Sequence, residues 1–427
     1  MRILIAATGS HGDVLPFIAL GRECRARGHD VIVYANPFFR PHAVAAHLRF
    51  VGVGSVAAYH ALFGAAAGND PTKDFKRVAK ELADLCGPYY AAMKADVLAG
   101  QTITITSSLQ FAPRLLRETD GVPCATVHLA PSVFQSNLSP ARLVPHWICA
   151  DTPMLGKRLA WWMLDKLFYD PHFTAPLNTL RARLGLAPLT RIFGGWIHQA
   201  DCLIGMFPDW FGVPQADWPA QTVLAGFPLY DRADQAPLAP AIRAFLDAGS
   251  PPVAFSAGTA TATAHDFFKT SIEACAMAGR RAILLSHFPQ QIPTQLPAHV
   301  LHVDYAPFSL LLPKLAVFVH HGGIGATSQA LRAGVPQLIR PVAYDQFDNS
   351  QRAVGLGVAH ELLPAKYTAR AVAGALATLD TDNALRQRCG QVARRVTEDS
   401  AITIACDAII EQLGAGLWSP HLSEHAR

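Results

Sequence analysis

The chain has 427 residues, enough for two or three domains at roughly 100–200 residues each. Hydrophobic residues make up 51% and charged ones only 16%, which excludes a disordered chain. Lys and Arg total 36 against 32 Asp and Glu, a balance of +4 without like-charge runs, so no nucleic-acid partner is expected.

The apolar run 2–7 predicts a buried strand, closed by the tight turn Thr8-Gly9-Ser10-His11-Gly12. Residues 14–27 carry Phe17, Ile18 and Leu20 at helical spacing and stop at Gly28; 29–34 predicts the next strand. That is one βαβ unit. Further strands are expected at 103–106 and 125–127. Residues 130–200 crowd Trp147, Trp161, Trp162 and Phe168 between repeated prolines, which predicts an irregular insertion with surplus apolar surface. A polar, Pro-bearing linker follows at 231–251. The pattern then restarts, with strands expected at 252–256, 282–286, 300–303, 317–320 and 337–339 between helices. Such alternation implies α/β architecture with parallel sheets. The expected domains are 1–230, the linker 231–251, then 252–405, and a C-terminal helix or tail 406–427 that returns to the first domain.

No stretch of about 18 apolar residues suggests a membrane span, although the mean hydropathy is high at +0.20. The opening Met1-Arg2-Ile3-Leu4-Ile5 lacks the form of a signal peptide. Eight scattered cysteines without a CxxC suit reduced thiols. A cytoplasmic protein is expected. Its oiliness fits a large core, an apolar substrate, or peripheral contact with an inner membrane.

Four segments sit where open α/β sheets bind ligands, beyond strand carboxyl ends. The turn before Val14 holds Asp13, whose local pattern suits a helix cap or a general base facing the cleft. His320-His321-Gly322-Gly323-Ile324-Gly325-Ala326 leads into a helix, and such Gly-rich turns offer backbone N–H groups to phosphate. Pro341 to Asn349 contains Asp345 and Gln346, residue types that bind vicinal sugar hydroxyls. Ser256-Ala257-Gly258-Thr259 offers a second phosphate contact. Asp380-Thr381-Asp382 has the spacing of a metal-binding DxD but falls between helical stretches, where a surface cap is expected. Neighbouring strand residues point to opposite faces, so His320 and His321 do not share a metal, and no metal site is expected.

The ordered run His-His-Gly-Gly-x-Gly at 320–325, Gly-Val-Pro at 334–336, Pro341, Asp345-Gln346 and Asn349 resembles the donor signature of nucleotide-sugar glycosyltransferases with the GT-B fold. Gly-Asp-Val-x-Pro at 12–16 resembles the N-terminal signature of bacterial members. Phe207-Pro208-Asp209-Trp210-Phe211 and Gly226-Phe227-Pro228-Leu229-Tyr230-Asp231 look like one subgroup, the rhamnosyltransferases of rhamnolipid synthesis. The resemblance implies two Rossmann-like domains facing across a cleft. It implies an inverting transfer of a sugar, L-rhamnose from dTDP-rhamnose in the subgroup, to a hydroxyl of a hydrophobic acceptor such as a 3-(3-hydroxyalkanoyloxy)alkanoate. Transfer to a sterol or macrolide is the alternative, and a nucleotide-sugar epimerase a more distant one.

The resemblance makes Asp13 the base and His11 its neighbour on the acceptor side. It implies donor contacts from Thr259, Tyr305, Ala306, Gly323, Gly325, Ala326, Gln329, Asp345 and Gln346, with no metal or cofactor besides the donor. The subgroup pattern selects His320 as the diphosphate ligand, whereas the wider superfamily selects His321; His320 is the expectation. Gln329 stands where the superfamily often has Glu on the ribose hydroxyls, which favours a deoxyribose donor. Trp147, Trp161, Trp162 and Phe168 are expected against the acceptor. Arg142, Lys157 and Arg158 are candidates for its carboxylate.

Overall fold

A computed structural model describes residues 1–63, 71–231, 237–258, 264–397 and 400–414. The first sheet runs β3-β2-β1-β4-β5-β6-β7, with β1 Arg2–Ala6, β2 Asp30–Ala35, β3 Arg49–Gly52, β4 Thr102–Ser107, β5 Cys124–His128, β6 Cys202–Gly205 and β7 Thr222–Leu224. The second runs β10-β9-β8-β11-β12-β13, with β8 Val253–Ser256, β9 Ala282–Leu285, β10 Val300–Val303, β11 Val317–His320, β12 Gln337–Ile339 and β13 Ala359–Glu361. All of these pairings are parallel.

The central strands are buried on both faces, as helix-covered parallel strands must be. In each sheet the strand order reverses beside the first strand, between β1 and β4 and between β8 and β11. The crevice beyond the carboxyl ends at such a point is where open α/β sheets take ligands. Four turns therefore surround the cleft. Those after β1 and β4 belong to the first domain, and those after β8 and β11 to the second.

The insertion is helical from Met154–Met163, turns through a π-helical stretch at Leu164–Tyr169, and continues as Asp170–Arg183. Its Arg142 crosses to the second domain, where the guanidinium donates to Glu361 at 2.8 Å and the backbone N–H to Asp348. Arg352 returns a bond to the Phe211 carbonyl. The helix Ala401–Gly414 starts ahead of the boundary expected at 406. Ala405, Cys406, Ile409 and Leu413 lie in the first domain's core, and Cys406 Sγ is 3.3 Å from Cys24 Sγ on the helix His11–Ala26.

Candidate active site

The helix after β1 begins at His11, earlier than its apolar spacing suggests, so Asp13 lies in its first turn. Asp13 Oδ2 accepts the Ser10 N–H at 2.7 Å and the Ser10 hydroxyl at 2.9 Å. The carboxylate folds over Gly9. At φ +133, a side chain is disfavoured there, and an added Cβ would lie 2.4 Å from Oδ2. Burial raises the Asp13 pKa, against the two Ser10 bonds. Both Ser10 bonds fall on one oxygen, so Oδ2 caps the turn and these bonds do not engage Oδ1.

His320 and His321 separate clearly. His320 ends β11, fully buried; its Nε2 bonds Gln337 Oε1 at 3.0 Å and its Nδ1 accepts the Gly322 N–H at 3.0 Å. Both ring nitrogens are engaged within the sheet, which corrects the expectation that His320 meets the diphosphate. His321 is only half-buried, and its ring lies over the two glycine turns. A Cβ on Gly258 or Gly323 would lie 2.8 or 2.4 Å from it. His321 Nδ1 has no partner among the described residues. Burial lowers its pKa to about 4, so the ring is neutral and offers an N–H donor. Thr259 lies outside the described residues.

Gly323 caps the helix Ile324–Ala333, Gly325 is exposed at its first turn, and Ala326 packs into the core. Asp345 precedes the helix Gln346–Gly355 and accepts both the Asn349 amide at 2.7 Å and the Ile324 N–H. Asn349 also holds the Gly322 carbonyl, tying this loop to the glycine turn. Burial pushes the Asp345 pKa up to about 6, and the charge of Asp13 adds to that rise. Gln346 Oε1 accepts the Val342 and Ala343 N–H groups and so closes its own loop. Gln329 is buried, and its Oε1 has no partner among the described residues. Ala306 is core, while Tyr305 is half-buried and parallel to His287, with ring centroids 6.2 Å apart. His287 in turn lies parallel to His11 at 6.3 Å, so a row of rings crosses the cleft.

His11 also meets Phe38, Phe39 and His42 edge-on. Phe38 stacks on Tyr59 at 4.3 Å, and the charge of Asp13 reinforces a burial-driven rise in the Tyr59 pKa. Sequence reasoning missed this aromatic wall. Its signal was Asn36-Pro37-Phe38-Phe39 directly beyond β2, the same position relative to the sheet as Asp13 beyond β1.

The expected acceptor aromatics divide. Trp161 is 3% exposed, donates to the Ser136 carbonyl and meets Trp147 edge-on, so it is core, which corrects its assignment. Trp147 is half-buried and its indole N–H has no partner among the described residues. Trp162 is exposed, as are Leu155, Leu159, Met163 and Leu167. Phe168 stacks on Phe75 of the helix Pro71–Ala95, 4.4 Å away. The π-helical stretch shifts the helix register, so Phe168 leaves the buried face of Trp161 and Asp165. Arg142 is engaged with Glu361 and the buried Lys157 with the Ala150 carbonyl, so neither is held for a carboxylate; Arg158 is exposed. Asp380 pairs with Arg280 and Arg386, and Asp382 caps Leu385, as a surface turn requires.

Residues 282–411 match the family described as erythromycin biosynthesis protein CIII-like, C-terminal domain. The chain is 28% identical over 430 residues to the O-mycaminosyltylonolide 6-deoxyallosyltransferase of Streptomyces fradiae, covering 96% of this chain and 97% of that one. The glycotransferase of kitacinnamycin superposes with a TM-score of 0.74 at 22% identity, over 96% of this chain and 99% of that one. The spinosyn rhamnosyltransferase SpnG, solved with thymidine diphosphate, superposes with a TM-score of 0.62 at 17% identity, over 97% and 100%. Two Rossmann-like domains of this topology, with these superpositions, give the chain the fold of the GT-B glycosyltransferases.

Proposed function

We propose that the protein moves L-rhamnose from dTDP-rhamnose, with inversion, to a hydroxyl of a lipidic acceptor such as a 3-(3-hydroxyalkanoyloxy)alkanoate, giving a mono-rhamnolipid. One observation carries the catalytic part. Asp345, beyond β12 of the second sheet, feels the charge of Asp13 at the switch point of the first, so the two domains converge on one reaction centre. Asp13 takes the acceptor's proton as its oxygen attacks the anomeric carbon. The bond to the diphosphate breaks with its electron pair, on the opposite side of that carbon. Neutral His321 and the first N–H groups of the helix Ile324–Ala333 meet the departing charge, a preorganised stabilisation. No metal or cofactor enters this reading.

Gln329 supports a deoxyribose donor, because a neutral amide replaces the carboxylate that would hold ribose hydroxyls. The exposed apolar face at Leu155, Leu159, Trp162, Met163 and Leu167 supports an acyl chain or a membrane surface. A second reading is a rigid natural-product acceptor. The aromatic wall of Phe38, Phe39 and Tyr59 beside Asp13 favours it, and the similarity to a glycosyltransferase of O-mycaminosyltylonolide agrees. A panel crossing dTDP- and UDP-sugars with hydroxyalkanoyloxyalkanoate, sterol and macrolide acceptors, read by mass spectrometry, separates the two. Transfer to the macrolide or sterol alone overturns the lipid assignment.

A further inference from the structure

The first sheet carries a second polar device at its switch point, which the mechanism above does not use. Ser108 follows β4, the strand paired to β1 on the side away from β2. Its turn is clamped to the turn of Asp13, because Gln110 Nε2 donates to Thr8 Oγ1 at 3.0 Å. Ser108 Oγ bonds His128 Nδ1 at 2.8 Å, and His128 Nε2 bonds His198 Nδ1 at 3.0 Å. His198 bonds the Phe193 carbonyl, and that carbonyl can only accept. The proton order follows. His198 donates to Phe193, His128 donates to His198, and Ser108 donates to His128. Reversing it would set the carbonyl against an imidazole lone pair in a buried site.

Arg114 lies beside this chain. Its fully buried guanidinium bonds the Gln110 and Ile197 carbonyls and Thr126 Oγ1, with no carboxylate partner among the described residues. Burial keeps both imidazoles neutral and this cation reinforces it, so the pair orients Ser108 and does not take its proton. Ser108 is half-buried, directly beyond the carboxyl end of β4, and with its proton committed inward its oxygen can only accept from a further partner.

We propose that Ser108 is an acceptor-positioning residue, accepting a hydrogen bond from a second polar hydrogen on the acceptor, next to the hydroxyl that Asp13 addresses. This rests on the glycosyl-transfer reading above. Water is the smallest acceptor with two such hydrogens, and methanol has only one. In hydrolysis the water oxygen bonds the anomeric carbon, one proton passes to Asp13, and the dTDP leaves with the electron pair of the broken bond.

The test is competition between water and methanol for dTDP-rhamnose on one enzyme, reading free rhamnose against methyl rhamnoside. Both products draw on the same bound donor, so the ratio is insensitive to partial misfolding. Ser108→Ala should raise the methanol-to-water product ratio about fivefold, the worth of one net hydrogen bond, and Ser108→Thr should restore it. An unchanged ratio in Ser108→Ala overturns the inference while the transfer reading stands. Wild type that binds dTDP yet forms neither product and glycosylates no acceptor of the panel above overturns the transfer reading and this inference with it.

Discussion

Asp13 and Asp345 lie on different domains, and the charge of one raises the proton affinity of the other. Asp13 is held by Ser10 beyond β1, and Asp345 by Asn349 and the Ile324 N–H beyond β12. Each carboxylate is thus fixed by its own domain, while their interaction depends on the cleft between them.

Asp13→Asn should lower turnover about 10²–10⁴-fold, the usual worth of a general base, with dTDP affinity nearly unchanged by calorimetry. Gly9→Ala should imitate it, because the new Cβ would displace the carboxylate. Near-normal turnover in Asp13→Asn would remove it from the chemistry and return attention to His11.

Much of this site was legible because ligand-binding turns follow strand ends, and the strands announce themselves as apolar runs. Position beyond a strand end made Asp13, Asp345, Gln346 and the glycine turn candidates, and the resemblance to the donor and N-terminal signatures, not position, assigned their roles. The division between His320 and His321 was not legible, since it depends on Gln337, which reaches His320 from the neighbouring strand. Strands β3, β7 and β13 lie at sheet edges and are only partly buried, so they show no continuous apolar run and were missed, as was β6. Burial of Trp161 was equally hidden. A π-helical stretch rearranges the faces that 3.6-residue spacing assigns, and nothing in the local sequence marks it. Ser108 was missed because its partners, His128 and His198, are distant in sequence and meet only in the folded sheet.

Asp345 also predicts a pH effect on stability. Its folded pKa of about 6 lies above the ordinary value of 3.8, so between these values the folded state holds more proton than the unfolded one. Stability from this group therefore falls as pH rises through that window. Asp345→Asn should flatten the decline in Tm between about pH 4 and 6 in the ligand-free protein, and should weaken donor binding. A wild-type Tm that rises through the window, with no difference in the mutant, would contradict the buried, coupled carboxylate.

The two histidines should now fail in different ways. His321→Ala should raise the dTDP Kd about tenfold, as a lost hydrogen bond to a charged group does, with little change in Tm. His320→Ala leaves Gln337 and the Gly322 N–H without their partner, at a cost of about 1–3 kcal/mol each at most. Its Tm should drop, and donor affinity should follow only through loss of folded protein. Calorimetry and thermal melts on both variants decide it; an intact fold with lost affinity in His320→Ala would put His320 back on the diphosphate.

The exposed face of the insertion carries the last prediction. Leu155 is 79% and Leu167 66% exposed, and Leu159, Trp162 and Met163 lie between them, while Trp161 faces inward. Burying one methylene contributes about 0.8 kcal/mol, so each carbon added to an acyl acceptor should improve affinity about fourfold until the face is covered. Replacing Leu155, Leu159 and Leu167 together by Ser should remove that dependence and raise the acceptor KM, leaving the donor KM and Tm as they were. Trp161→Ser should act oppositely, losing about 3–5 kcal/mol of stability because its ring packs on Trp147 and its N–H holds Ser136. Affinity that is flat across chain lengths in the wild type, with the triple variant fully active, would separate this face from the acceptor and leave the aromatic wall of Phe38 and Tyr59 as the acceptor surface.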